Sequence, residues 1–110
     1  MLTLPIKKKW FDMIKSGEKK EEYREIKSYY TTRFYGKAYE YNVKNGFIKE
    51  YDKEKEIILR NGYSSDSPTI KCKVKITKGY GKPELGAEPN KLYYVLKILS
   101  VEEIEWKRLS

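Results

Sequence analysis

The clearest pattern of hydrophobic and polar positions lies between residues 70 and 76. A lysine separates each pair of its apolar residues, which are Ile70, Cys72, Val74 and Ile76. Successive side chains of a β-strand point to opposite faces of a sheet. The alternation therefore predicts a strand with one buried face, on which Cys72 lies, and one exposed face that carries Lys71, Lys73 and Lys75.

Other segments have weaker strand character. The pattern predicts further strands at residues 2–4, 19–26, 55–60, 92–99 and 101–106. The last of these contains Ile104 and Trp106, and a helical turn is the alternative for it. Residues 36 to 55 are mostly polar and include the turn signal Asn45-Gly46, so they predict an irregular excursion or a small hairpin. The three glycines and two prolines of residues 79–90 predict a loop.

Two helices are predicted in the first part of the chain. Pro5 suits a first helical turn and Gly17 suits the position just after a last one. The apolar residues between them follow the spacing of one buried stripe: Ile6, Trp10, Met13 and Ile14. This helix, over residues 5–16, places Trp10 in the core. A second, shorter helix is predicted to run through Tyr30 and Phe34, with Ser28 as its cap.

The order of these elements indicates the fold class. Several short strands, two early helices and no regular alternation of strand and helix favour an α+β fold with a mainly antiparallel, barrel-like sheet. A chain of 110 residues has the length of a single domain. Its 11 tyrosines supply large side chains that can pack as well as stack, so an ordered core is expected.

Positive charge dominates the chain, with a formal net charge of +8. Residues 1–37 carry ten basic and five acidic groups, and residues 67–97 carry seven basic and two acidic groups. If the fold brings these two blocks together, they form a positive face that suits a phosphate backbone. The competing interpretation is that the lysines only keep the surface soluble.

The amino-acid composition excludes several kinds of chemistry. Histidine is absent and Cys72 is the only cysteine. An internal disulfide, Ser-His-Asp or Cys-His catalysis and the usual zinc sites are therefore excluded, and no cofactor or metal is predicted. The sequence shows no leader pattern and no apolar run of about eighteen residues. We expect a soluble protein of the reducing cytoplasm that has no membrane partner.

Residues 17–24 form a cluster with the character of a site. As a strand, this segment puts Glu22 and Arg24 on one face, and Lys19 lies in the turn before it, so all three can line one cleft. Because 36% of the chain is charged, composition alone favours a solvated surface here. The amphipathic helix and the Gly17 stop in front of the cluster favour a site instead.

The pattern G-x-K-x-x-E-x-R of Gly17, Lys19, Glu22 and Arg24 resembles the signature of the ASCH family, small domains related to the RNA-binding PUA fold. The similarity extends to Leu-Arg-Asn-Gly-Tyr at 59–63 and Leu-Gly-Ala-Glu-Pro at 85–89. The resemblance implies a PUA-like, mainly antiparallel β-barrel with two early α-helices. It also implies a link to RNA metabolism, with the motif lining a cleft between the barrel and the helices.

Recognition of single-stranded RNA or a nucleotide is the first functional hypothesis. Arg24 can grip a phosphate or a base edge, Lys19 can supply a counter-charge, and Glu22 can accept a hydrogen bond from an exocyclic amine. Single-stranded RNA is usually held by aromatic rings that stack unpaired bases. Candidate residues around the motif for such contacts are Tyr29, Tyr30, Arg33 and Tyr63.

A small RNA-processing enzyme is the alternative. In a ribonuclease, Lys19 and Glu22 would be the catalytic acid and base, and Arg24 would stabilise the transition state. The resemblance also implies a second enzyme model, because some small ASCH proteins are amidohydrolases that act on acetylated cytidine with a Lys, a Thr and a Glu. Lys19 matches that lysine, but Glu22 stands where the threonine nucleophile is expected, which makes this route the less favoured one. Protein partners and the oligomeric state are not indicated by the sequence.

Overall fold

The computed structural model describes residues 1–104 and has an α+β architecture. Within these residues five strands form one sheet, and three α-helices and one short 3-10 helix accompany it. In chain order the elements are β1 (Leu2–Pro5), α1 (Lys8–Ser16), β2 (Glu21–Glu25), α2 (Ser28–Tyr35), α3 (Tyr39–Lys44), β3 (Lys53–Arg60), β4 (Thr69–Tyr80), the 3-10 turn Pro83–Leu85, and β5 (Leu92–Glu103).

The sheet is mixed and curled into a half-barrel. Its strand order is β1-β3-β4-β5-β2, in which only the β1–β3 pair is parallel. A hydrogen bond joins the two edge strands, β1 and β2. Arg24 Nη2 of β2 donates to the Pro5 carbonyl oxygen at the end of β1, at 2.7 Å. The predicted α+β class with a mainly antiparallel, barrel-like sheet is confirmed at this level.

The predicted alternation in β4 is confirmed. Cys72, Val74 and Ile76 are completely buried. Lys73 and Lys75 are exposed, and Lys71 is half-buried beside Glu56, with its Nζ 3.0 Å from a Glu56 carboxylate oxygen. The concave face therefore forms the main core, and the opposite face of this strand carries the lysines.

The two strands predicted at 92–99 and 101–106 are one continuous strand, β5. The pairing with β4 shifts register between Lys73, opposite Ser100, and Val74, opposite Ile98. A β-bulge of this kind places one extra residue in a strand without ending it. This explains why the sequence pattern breaks near residue 99. Residues 105 and 106, which include Trp106, lie outside the described residues.

Helix α1 begins at Lys8, so the prediction that Pro5 starts it was wrong. Pro5 ends β1, and the Ile6 N–H extends the sheet by donating to the Arg60 carbonyl oxygen at 3.0 Å. Ile6, which was predicted to begin the buried stripe, therefore lies outside the helix. The buried side chains of the helix are Phe11 and Ile14. The end of the helix is as predicted: the Gly17 backbone is left-handed, with φ 88°.

Trp10 was predicted to lie in the core, and this was correct only in part. Its side chain packs against the main core but is only partly buried. With α1 starting at Lys8, the buried stripe is centred on Phe11 and Ile14. The Trp10 ring therefore lies at the border between the core and the surface.

Helices α2 and α3 differ from the prediction. Ser28 is the first residue of α2 instead of its cap, and its hydroxyl donates to the Glu40 carboxylate at 2.9 Å. The excursion predicted at 36–55 contains α3, whose Tyr39 stacks on Tyr35 with ring centroids 4.0 Å apart. Such tertiary contacts override a weak local pattern. The Asn45-Gly46 turn ends this helix, so it does not make a hairpin.

Buried tyrosines predict how stability changes at alkaline pH. Burial raises the pKa of Tyr35 and Tyr39 above the ordinary value of 10.0, and it raises the pKa of Tyr23 to about 12. Above pH 10 the folded protein therefore holds these protons more tightly than the unfolded chain. The free energy of unfolding should fall as the pH rises through the raised values.

Denaturant unfolding at about pH 8, 10 and 11.5 measures this effect. The variant Tyr35→Phe removes one titrating group and should show a smaller fall between the last two values than the wild type. An equal fall in both proteins would contradict the assignment of the effect to Tyr35.

None of the helices within residues 1–104 is long and apolar enough to cross a membrane.

Candidate functional site

The motif residues lie where α1 passes into the edge strand β2. After Gly17 ends the helix, the Lys19 N–H donates to the Met13 carbonyl oxygen at 2.9 Å and holds the turn against α1. The chain then enters β2, which pairs with β5 so that Glu22 lies opposite Leu96 and Arg24 opposite Tyr94. Both charged side chains are therefore on the concave face of the sheet, as the alternation predicts.

The two cations of the motif, Lys19 and Arg24, both contact the Glu22 carboxylate. Arg24 Nη2 lies 2.8 Å from Glu22 Oε2, and Lys19 Nζ lies 3.4 Å from Glu22 Oε1. The side chains of Glu22 and Arg24 are only 9% and 10% exposed. One anion thus lies between two cations in a largely dry environment, where charge pairs interact more strongly than in water.

Lys19 is the most enclosed of the three. Its residue is 1% exposed, its ammonium donates to the Leu85 carbonyl oxygen, and the rings of Trp10 and Tyr23 lie 4.6 and 4.7 Å away. Burial lowers the pKa of the Lys19 ammonium, and the neighbouring Glu22 carboxylate partly offsets this effect. Lys19 therefore lies beneath the surface that Glu22 and Arg24 present.

Arg24 links several parts of the fold. Besides Glu22 and the Pro5 carbonyl oxygen, its guanidinium reaches the Tyr30 hydroxyl, with Nη1 at 3.4 Å. A guanidinium has five N–H donors. Two of these have no protein acceptor among residues 1–104.

Glu22 and Arg24 line a concavity of the described residues, a cleft of about 550 Å³. We call this space the cleft. Its walls come from β1 and the start of α1, from β2 and α2, and from the segment after β4. The lining residues are Pro5, Ile6, Lys7, Trp10, Glu22, Tyr23, Arg24, Glu25, Lys27, Tyr30, Leu85, Gly86, Glu88, Lys91 and Tyr93.

One wall of the cleft is the segment 82–88. The Tyr23 hydroxyl accepts from the Lys82 N–H at 3.1 Å, and the Tyr93 hydroxyl accepts from the Glu88 N–H at 2.9 Å. Gly86, with φ 107°, lies so close to Trp10 that a Cβ there would be 3.1 Å from the indole ring. Glycine is therefore favoured here, because the backbone is left-handed and because any Cβ would force the Trp10 ring to move by a few tenths of an ångström.

The charges around the cleft come from both basic blocks. Lys7 and Lys27 have no ion-pair partner within residues 1–104, whereas Lys91 pairs with Glu88 at 3.1 Å. Much of the second block lies elsewhere: Lys71 and Lys73 on the other face of the sheet form ion pairs with glutamates of β3. The carboxylate of Glu25 also lines the cleft, so the excess of positive charge there is small, and the two blocks do not merge into one continuous positive face.

The other sequence candidates lie in three different places. Tyr30 lines the cleft. Tyr29 is half-exposed and packs under the Arg33 guanidinium, whose central carbon is 3.4 Å from the ring centroid, and neither residue lines the cleft. Tyr63 is 92% exposed and lines a neighbouring cavity of about 360 Å³.

Sequence reasoning missed Trp10, Tyr23, Lys91 and Tyr93 as parts of the site. The segment 85–89 was the available signal for this wall of the cleft. Its similarity to the ASCH family was noted from the sequence, but no role in the site was predicted for it. Among residues 1–104 no group of three or more carboxylate or thiol side chains is placed to hold a metal ion.

Comparisons of this chain with protein-family models, with characterised proteins and with solved structures find no match.

Proposed function

We propose that this chain is an ASCH-like domain of the PUA-like class and that its cleft recognises single-stranded RNA or a nucleotide. The observation that carries the proposal is the meeting of Glu22 and Arg24 at the floor of a cleft whose walls include the rings of Trp10 and Tyr30. A nucleotide offers a flat base, a polar base edge and an anion. The cleft has a complementary group for each of these.

The base edge would be recognised by Glu22 and Arg24. A carboxylate has about four lone-pair positions, and two of those on Glu22 face Arg24 and Lys19. The remaining ones can accept from an exocyclic amine, and the two unused N–H groups of Arg24 can donate to a base acceptor or a phosphate. This pairing favours bases that carry an exocyclic amine.

The phosphate would be bound at the rim. Lys7 and Lys27 lie there without ion-pair partners in the described residues, and α1 begins directly after Lys7 with no acidic residue in its first turn. The free N–H groups at the start of a helix favour anions. The aromatic walls can hold the base by stacking, which is tolerant of base identity.

Titration of a labelled ten-nucleotide single-stranded RNA tests the proposal. With about three phosphates contacted, the affinity should fall roughly twentyfold when the salt concentration rises from about 50 to 200 mM. Fluorescence anisotropy at both concentrations gives the two dissociation constants. Absence of binding even at the lower concentration would refute the proposal.

An RNA-processing enzyme is the second candidate, because the Lys19 ammonium has a lowered pKa and lies next to a carboxylate, as a proton-transfer pair requires. The enclosed position of Lys19 beneath the cleft favours recognition instead. The RNA used in the titration, incubated with and without divalent cations, is therefore expected to stay intact. Acetylcytidine is expected to release no acetate.

Cleavage would change this conclusion only if it depends on the site. Loss of cleavage in Glu22→Gln, with RNA binding and folding retained, would favour the ribonuclease, because this change removes proton transfer while nearly preserving the shape. Acetate release that is lost in Lys19→Ala would favour the amidohydrolase in the same way.

A further inference from the structure

A second cavity, of about 360 Å³, lies directly beside the cleft. Pro5, Ile6 and Lys7 line both spaces, so the segment 5–7 is the wall between them. The far side of the second cavity consists of the turn after β3, residues Asn61, Gly62 and Tyr63. The two spaces therefore adjoin at the end of the parallel β1–β3 pair, and we call them together the track.

The wall between the two cavities is held on both sides. On the cleft side Arg24 donates to the Pro5 carbonyl oxygen at 2.7 Å. On the other side the Asn61 side-chain amide donates to the Ile6 carbonyl oxygen at 3.0 Å, and the Ile6 N–H donates to the Arg60 carbonyl oxygen at 3.0 Å. The spacing of the two cavities is thus fixed by hydrogen bonds before any ligand binds, which lowers the entropic cost of binding across both.

Tyr63 and Lys7 give this track its chemical character. Tyr63 is 92% exposed at the mouth of the second cavity, and its ring stacks on no other aromatic ring within residues 1–104. A single exposed aromatic residue is common on protein surfaces, but this one is next to the cleft. Lys7 lies on the shared wall and has no ion-pair partner in the described part of the chain.

We infer that the second cavity holds the neighbouring nucleotide of a single strand whose other base lies in the cleft. Tyr63 stacks on the second base, and Lys7 contacts the phosphate that links the two nucleotides. This inference rests on the proposed function and deepens it, because it makes the ligand a strand of at least two nucleotides instead of a free nucleotide.

The test separates the contribution of the second base to affinity from that of the linking phosphate. The four ribonucleotides are first ranked by affinity. Calorimetry then compares the 3′,5′-bisphosphate of the best-binding one with two dinucleotides, which carry one additional adenosine on its 5′ or its 3′ side. The bisphosphate keeps the linking phosphate but lacks the second base. One of the two dinucleotides should bind about tenfold more tightly than the bisphosphate, which is the range expected for stacking one base on an aromatic ring.

Variants of Tyr63 show whether the higher affinity of the dinucleotide comes from stacking on this ring. Tyr63→Ala should remove the tenfold advantage of the dinucleotide and leave bisphosphate binding unchanged, and Tyr63→Phe should keep the advantage. The matched control is Tyr41→Ala, because Tyr41 is also largely exposed but lies on α3 and lines neither cavity. Tyr41→Ala should bind both ligands like the wild type.

The outcomes distinguish the two proposals. If neither mononucleotides, bisphosphates nor oligonucleotides bind, the proposed function fails and this inference fails with it. If the bisphosphate binds as tightly as both dinucleotides, the cleft takes a single nucleotide, so the inference is overturned while the proposed function stands. A dinucleotide advantage that survives Tyr63→Ala also overturns it, because the second base then lies elsewhere.

Discussion

Replacement of Glu22 by Gln is expected to lower the free energy of unfolding by about 3–5 kcal/mol, the usual cost of removing one partner from a buried ion pair. Among residues 1–104, Glu22 is the one anion in ion-pair contact with two largely buried cations, Lys19 and Arg24. Glutamine has nearly the same shape, so the loss comes from charge and not from packing. Denaturant unfolding of both proteins at neutral pH measures the difference.

Replacement of Lys19 by Met should cost clearly less than Glu22→Gln. In this variant Glu22 keeps its Arg24 partner, and the cost of burying the ammonium disappears. The double variant should cost less than the sum of the two single variants, since the residues are in contact. A larger cost for Lys19→Met than for Glu22→Gln would contradict the assignment of Glu22 as the shared anion.

The pH dependence provides a check on the same variants. In the unfolded chain Lys19 titrates near 10.5, and burial lowers its pKa in the folded protein. The unfolded state therefore binds more protons between the two values, so the Lys19 contribution to stability rises as the pH increases toward 10.5. Glu22→Gln removes a charge that raises this pKa, so its penalty should shrink when the pH is increased from about 7 to 9.

The position of Glu22 and Arg24 on one face of β2 could be predicted from the sequence, but the burial of Lys19 could not. Alternation along a strand is a local property, so Glu22 and Arg24 could be placed on one face from the sequence alone. The burial of Lys19 depends on Trp10 and Leu85, which come from α1 and from the segment after β4. Contacts between such distant segments leave no periodic signal in the sequence.

Errors in the predicted fold have the same origin. Pro5 has a backbone angle that suits both a first helical turn and an edge strand, and the pairing of β1 with β3 decides in favour of the strand. Helix α3 has only six residues and depends on the stacking of Tyr39 on Tyr35. The strictly alternating part of β4 was predicted correctly because burial on one face is itself the cause of the pattern.

Arg24→Lys is expected to weaken nucleotide binding by about 10- to 100-fold, since hydrogen bonds to charged groups contribute roughly 1.5–3 kcal/mol. The guanidinium fork binds Glu22, the Pro5 carbonyl oxygen and the Tyr30 hydroxyl, and it still has donors for a ligand. An ammonium is a compact charge with three donors, so it cannot replace this geometry. Calorimetric titration of the best-binding mononucleotide measures the loss.

The salt dependence of RNA binding separates geometry from charge in this variant. Lysine keeps the positive charge, so the slope of affinity against salt concentration should remain close to that of the wild type. The matched control is Lys73→Ala, which removes a charge that is 54% exposed on the opposite face of the sheet. It should leave mononucleotide affinity unchanged and affect RNA binding only slightly. Equal losses in the two variants would mean that the chain attracts nucleic acid through diffuse charge, without recognition in the cleft.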